Sequence, residues 1–305
     1  MDRLRDIAAR VSNWGRWGTD DERGTVNFIT ADKVREAAAL VRRGQVFSLG
    51  LSFGAEGPQI GQGGRVNPQH FMTATAGVVY PDSPFRYADD VVVMPLQCAT
   101  QWDSLAHVHY DDQLYNGHPA DSITPSGATK NAITAQAAGI VSRGVLLDLA
   151  RAAGTDRLAP GHAITPAELE AAADAQRVHV GSGDVLLIRT GHLAVFRDDG
   201  DRVGYMRTMP GLGVACAEWL HTREVAAVAS DTNAVEVIPF EEPGTPLPFH
   251  MLAIRDMGLT LGEMFDLDAL AADCAADGVY EFFFSAPPLK VTGGVGSPLN
   301  PLAIK

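Results

Sequence analysis

Cysteine is scarce in this chain: Cys98, Cys216 and Cys274 are the only three in 305 residues. No two lie close in sequence. That excludes a disulfide framework and a thiolate cluster of the kind that holds structural zinc. Long hydrophobic runs are missing too. No stretch approaches the ~20 apolar residues of a membrane-spanning helix. The charged start, Met1-Asp2-Arg3-Leu4-Arg5-Asp6, lacks the apolar core of a signal peptide. A soluble, cytoplasmic protein is expected. Positive charge is also in short supply, with 24 Lys and Arg against 37 Asp and Glu and a net charge of −13. Phosphate backbones and anionic bilayers attract basic faces, so neither nucleic acid nor membrane is an expected partner. A small-molecule substrate is. The global charge does not forbid an anionic one, because a local arginine or metal outweighs it.

Hydrophobic residues make up 46% of the chain, ample for one large core or two smaller ones. Glycine and proline are scattered, no linker divides the chain, and no repeat has solenoid spacing. Residues 31–43 read as an amphipathic helix with Thr30 as N-cap and Gly44 as stop. Residues 53–88, rich in Gly, Pro and Asn, read as a long irregular segment of the kind that carries function. Strands are expected over 144–149, 184–189, 225–229 and 279–284, and helices over 130–143, 213–222, 250–257 and 268–276. Thr165-Pro166-Ala167-Glu168 is a capping box with proline at the first helical position, opening a helix to about residue 176. Gly258 is the expected stop of the 250–257 helix. Strands alternating with helices indicate an α/β fold with a partly parallel sheet. The loop-rich first half adds a mixed sheet or partial barrel.

The chemistry concentrates around Gln97-Cys98-Ala99-Thr100-Gln101-Trp102-Asp103, which follows the apolar Val91-Val92-Val93-Met94. If the strand continues through, Gln97, Gln101 and Asp103 share one face and Cys98, Thr100 and Trp102 the other. Two amides and a carboxylate on one face, with His107 four residues on, build a polar site. A neutral imidazole near a carboxylate suits a general acid or base. His109, Asp111 and Asp112 read as a solvated turn. Gly61-Gln62-Gly63-Gly64 and Gly293-Gly294-Val295-Gly296 are not set between a strand and a helix start, so neither indicates a nucleotide site. Ser230 is in no Gly-x-Ser-x-Gly elbow, which speaks against a serine hydrolase.

The run Gln97-x-Ala99-Thr100-Gln101-x-Asp103-x-Leu105-x-His107 resembles the signature of the bacterial cyclase family, His-x-Gly-Thr-His-x-Asp-x-Pro-x-His. Kynurenine formamidase and isatin hydrolase are members of that family. Thr100, Asp103 and His107 match, and the two metal-binding histidines of the family are Gln97 and Gln101 here. His250 and Glu263 resemble its second metal-binding stretch. Tyr115-Asn116-Gly117, Ser230-Asp231-Thr232 with Glu236, and the closing Pro288-Leu289 through Pro298 add further matches. The resemblance implies a swivelling β/β/α fold over residues 45–305 after an N-terminal helical segment, 1–44, and a homodimer or homotetramer. It also implies a metal-dependent hydrolase of a small cyclic or acyl amide, lactone or ester. In that reading Asp103, His250 and Glu263 bind the metal and His107, with Asp103, performs catalysis. Trp102, Gln101, His70 and Tyr115 would touch substrate, with Tyr110 beside Trp102 as an aromatic wall.

An amide oxygen is a far weaker zinc ligand than imidazole nitrogen, so Gln97 and Gln101 leave three outcomes open. A single manganese or zinc ion persists at Asp103, His250 and Glu263. A harder ion tolerant of amide oxygen replaces zinc. Or the site is metal-free, in a lyase, an isomerase or a small-ligand binding protein.

Overall fold

Apolar runs in the middle of the chain build the centre of a nine-stranded sheet. The computed structural model describes residues 1–76 and 82–305. Its main strands are β1 (Val46–Ser48), β2 (Gln101–Asp103), β3 (Val141–Asp148), β4 (Val185–Arg189), β5 (Ala227–Ser230), β6 (Thr260–Glu263), β7 (Glu281–Ser285), β8 (Gly296–Pro298) and β9 (Leu302–Ile304). Their spatial order is β1-β9-β7-β3-β4-β5-β6-β2-β8. The central four, β3 to β6, are parallel. Strands β7, β9 and β1 add antiparallel on one side, and β2 and β8 on the other. The result is a mixed α/β fold in which the sheet curls into a half-barrel flanked by helices.

Alternation along the central strands feeds two cores. Val145, Leu147, Leu186, Ile188, Val228 and Leu261 face one side. There they meet α1 (Asp2–Val11), α3 (Pro166–Gln176) and α4 (Cys216–Thr222) through Leu4, Ile7, Leu169 and Leu220. Leu146, Val185, Leu187, Ala227 and Ala229 face the other side, against Leu270, Ala271 and Cys274 of α5 (Asp268–Asp277). Both faces of parallel strands are covered, which is why these segments read as nearly continuous apolar runs.

The expected capping box is present: the Thr165 hydroxyl accepts from Glu168 N, the Glu168 carboxylate accepts from Thr165 N, and the helix ends at Gln176. The helix after Thr30 is shorter than its pattern suggests, Ala31–Ala38 (α2), because Ala37 is its one buried residue. Residues 130–143 are not helical. A short 3₁₀ turn, Ile133–Gln136, is followed by β3, whose Val141–Arg143 pair with Phe283–Ser285. Partner strands here override local helix propensity. The apolar Val91–Val93 does not run into the site strand either. Asp89–Val93 pairs with Gln69–Ala74 in a separate ribbon, which also puts a strand inside the expected irregular 53–88 stretch. Part of that stretch, 77–81, lies outside the described residues. Pro95 cannot donate to a ladder, and the chain turns through residues 96–100 before β2 begins.

The helical turn Pro248–His250 continues as a π-helix, Met251–Met257, and stops at Gly258, whose φ is 65°. Glycine is required there twice over, since a Cβ would also stand 2.5 Å from the Tyr115 ring. Among the described residues, no helix is long and apolar enough to cross a membrane.

Candidate functional site

Two strands set the carboxylates. In the antiparallel pair β6–β2, Glu263 stands opposite Gln101 and Gly262 opposite Trp102. Alternation sends Gln101, Asp103 and Glu263 to one face and Trp102 to the other. The Gln101 amide donates to Glu263 Oε2 at 2.8 Å and to Asp103 Oδ1 at 3.2 Å. One amide nitrogen thus bridges two buried carboxylates.

His250 reaches the same face from the helical turn after Leu247. The backbone N–H groups of Phe249 and His250 donate to the Glu236 carboxylate at 3.2 and 3.0 Å, and His250 Nδ1 bonds to its Oε1. Glu236 therefore satisfies the free N–H groups of the turn and orients the ring. Nε2 is left 3.3 Å from Glu263 Oε1. One ligand atom each from Asp103, His250 and Glu263 lies within 4.8 Å of the others. His107 follows Asp103 through a turn closed by its N–H on Ser104 O at 3.0 Å, and its Nε2 stands 3.8 Å from Asp103 Oδ1.

Burial and charge tune these groups in different directions. Burial pushes the His250 imidazolium down, but the bonds and charges of Glu236 and Glu263 win and raise its pKa to about 10. Burial, with the nearby Asp103 charge, raises Glu263 to about 7 against the opposing pull of His250 and Arg65. Burial lowers His107 below its ordinary value; Asp103 opposes this, and Arg65 and His250 add to it. His107 is therefore neutral at neutral pH, while the proton between His250 and Glu263 stays on the imidazole, which faces two carboxylates.

His107, His250 and Glu263 open onto a cavity of about 430 Å³, with Met206, Ile238 and Phe240 on its apolar wall. Larger hollows of about 750 and 740 Å³ lie against Asp20–Arg23 and against α1, and neither brings a histidine together with a carboxylate.

Four residues expected at the substrate are elsewhere. Trp102 is fully buried on the opposite face, 5.3 Å from the Phe265 ring, with Nε1 donating to Ala286 O at 2.8 Å. The alternation that exposes Asp103 to the site takes Trp102 away from it. Tyr115 is buried with its hydroxyl on Asp21 at 3.0 Å. Tyr110 donates to Asp256 at 2.7 Å under the Arg255 guanidinium. His70 is exposed on the Gln69–Ala74 strand, bound to Asp90 at 2.7 Å, because its strand pairs with the ribbon and not with the sheet. Gln101 is at the site, holding carboxylates. Gln97 is buried against Gly296, where a Cβ would stand 2.5 Å from its Nε2. His109, Asp111 and Asp112 are exposed, as a solvated turn requires.

A family model described as putative cyclase matches residues 25–237. The chain belongs to the cyclase family. A crystal structure of a novel cyclase superposes with a TM-score of 0.90 at 41% identity, covering 98% of this chain and 99% of that one. An isatin hydrolase bound to thioisatinate gives 0.63 at 18% identity, covering 90% and 98%. Isatin hydrolase A from Ralstonia solanacearum gives 0.62 at 20%, covering 86% and 92%. At these lower identities the likeness is one of fold. No curated protein matches the chain.

Two residues of this cyclase are at the site without having been placed there from sequence: Glu236 and Arg65. Glu236 has a legible signal, a lone carboxylate within Ala234-Val235-Glu236-Val237-Ile238, since a charge in an apolar run needs a buried partner. Arg65 has none beyond its glycine-rich approach.

The donor set of this cyclase fits one divalent ion. An imidazole and two carboxylates in mutual reach suit zinc or manganese, and the Glu236–His250 contact is the usual outer support of a metal-binding imidazole. Asp103 Oδ2 and Gln101 Oε1 are buried acceptors with no hydrogen-bond partner among the described residues, as expected beside a cation. No second group of three such side chains converges among the described residues.

Proposed function

We propose that this cyclase hydrolyses a small cyclic or acyl amide, or a lactone or ester, with Asp103, His250 and Glu263 holding one zinc or manganese ion and His107 moving the proton. The observation that carries the reading is the convergence of those three ligand atoms within 4.8 Å, beside a neutral His107 on the cavity wall. Fold relatives named isatin hydrolase and predicted metal-dependent hydrolase support the reaction class. An ion bound here lowers the pKa of a water and polarises the substrate carbonyl. Glu236 keeps His250 Nε2 turned to the site, and Gln101 holds Asp103 and Glu263 apart from one another. His107 accepts a proton at Nε2 and returns it to the leaving nitrogen or oxygen. The apolar wall holds a ring and sheds water. Enzyme stripped of metal, verified by elemental analysis, is expected to lose about a hundredfold or more of its turnover of an aryl formamide or lactone and to regain it with manganese or zinc. Equal rates with and without metal sink the metal mechanism.

A second reading is favoured by two features: the Gln101 amide already donates to both carboxylates, and burial raises Glu263 to about 7. A site so satisfied can run acid–base chemistry metal-free, as a lyase or isomerase, or bind a ligand without turnover. His107→Ala separates these. A hydrolase loses at least about a hundredfold in kcat while keeping fold and ligand affinity, whereas a binding protein has no turnover to lose.

A further inference from the structure

We propose that Arg65 determines substrate specificity and that the substrate carries a carboxylate beside its ring or acyl group. The inference rests on the hydrolase reading and deepens it. Arg65 lines the same cavity as His107, His250 and Glu263. The glycine run places it there. Gly61, Gly63 and Gly64 all have positive φ, between 63° and 85°, and the Arg65 N–H closes the turn on Gln62 O at 3.2 Å.

Its guanidinium has no hydrogen bond or ion pair among the described residues. Most other half-buried arginines of this molecule are paired. Arg143 is held by Asp184 and Glu281, Arg189 by Asp148 and Asp268, and Arg255 by Asp256. In a chain of net charge −13, carboxylates are plentiful, yet the half-buried Arg65 takes none of them. Arg65 thus shares a cavity with His107, His250 and Glu263 while forming no pair with Glu263, and its donors stay available to a ligand. A planar fork of donors recognises a carboxylate in a bidentate manner and fixes its orientation. The wall formed by Met206, Ala234, Ile238, Phe240 and Leu247 accepts the apolar part of such an acid, and about 430 Å³ suits one small molecule.

Formamidobenzoates test this against formanilide, which has the same amide without the acid. In each, the water oxygen bonds to the formyl carbon, the C–N bond breaks, and the proton passes to nitrogen, giving formate and an arylamine. Wild-type enzyme is expected to favour the best of the ortho, meta and para formamidobenzoates over formanilide by about tenfold to a hundredfold in kcat/KM, the span of a charge-assisted hydrogen bond. Arg65→Gln should bring that ratio to about one through a rise in KM for the acid, and Arg65→Lys should restore part of it. An unchanged ratio in Arg65→Gln, or no wild-type preference for the acid, overturns the proposal. If no formamide is turned over, the hydrolase reading fails separately. Calorimetric titration with the three aminobenzoates against aniline then decides on Arg65 alone. Aminobenzoate binding that is lost in Arg65→Gln supports the proposal, and equal binding by both proteins refutes it.

Discussion

Asp103 and Glu263 sit on neighbouring strands with buried side chains, and like charges so placed repel. Gln101 is what reconciles them, by donating to both. A histidine at this position would bring a ring nitrogen to the metal; the amide brings neutral donors and one oxygen instead. Asp231, outside the ligand set, shows the same economy. Its carboxylate accepts from the Thr190 N–H and hydroxyl and from the Gly191 N–H, which ties the ends of β4 and β5 together. Burial raises its pKa from 3.8 to about 6 in spite of those bonds. A group whose folded pKa is raised contributes stability below its unfolded value and loses that contribution as pH rises through the folded value. The unfolding free energy of the wild type relative to Asp231→Asn should therefore fall by about 3 kcal/mol between about pH 4 and 6 and be flat above. Urea titrations at several pH values read the difference, and parallel curves would show that the carboxyl is not raised. What was legible at this scale came through the family resemblance, which assigned Asp103, His107, His250 and Glu263 to one site, and the fold brings them together. Glu236 was harder to read because its partners, Phe249 and His250, come from another segment, and Arg65 because nothing beside it in sequence ties it to the site. Trp102 was misread because being next to a site residue on a strand means facing away from it.

Elements were legible where local signals decide and illegible where partners do. The Thr165 capping box, the Gly258 stop and the central apolar strands are local, and the structure has them. Residues 141–143 of the expected 130–143 helix became strand because β7 was there to pair with them. The site strand is only Gln101–Asp103: the alternation read there set Gln101 and Asp103 against Trp102 correctly, but its continuation from Val91–Val93 does not exist, and its geometry depends on its neighbours. Gly262 of β6 is the clearest case. A Cβ there would stand 2.3 Å from the Trp102 ring and 2.7 Å from Ala229 Cβ. The missing side chain lets Trp102 lie across β6, and that packing sets the register in which Glu263 faces Gln101. Gly262→Ala is expected to destabilise by about 1–3 kcal/mol, as overpacking does. It should also weaken manganese binding, measured by calorimetry, because Glu263 is the next residue. A stable variant with wild-type metal affinity would mean that Trp102 does not hold the strand.

At the scale of the molecule, alternating strands and helices indicated a mixed α/β sheet, but its order could not be read, since β2, from the first half of the chain, is inserted between β6 and β8 from its last quarter. The same long-range logic ties the first residues to the site. Leu4, Ile7 and Val11 of α1 belong to the core that contains Leu252, Ile254 and Met257 of the π-helix. Asn13 N and Nδ2 donate to Asp256 O and Met257 O at 3.1 and 2.8 Å, and Trp14 Nε1 donates to Arg255 O at 2.8 Å under that residue's own guanidinium. The π-helix begins directly after His250, so this segment braces the element that places the imidazole. Burying each large apolar side chain contributes about 1.5–3 kcal/mol, so removing residues 1–14 should cost on the order of 5 kcal/mol. Against a typical total of about 5–15 kcal/mol, that leaves a marginal fold. The shortened chain is expected to unfold at a much lower urea midpoint. Where it still folds, it should bind manganese more weakly than the full chain, because His250 has lost its brace while all three ligand residues are intact. A shortened chain with the full midpoint and the full affinity would show that the sheet alone positions His250.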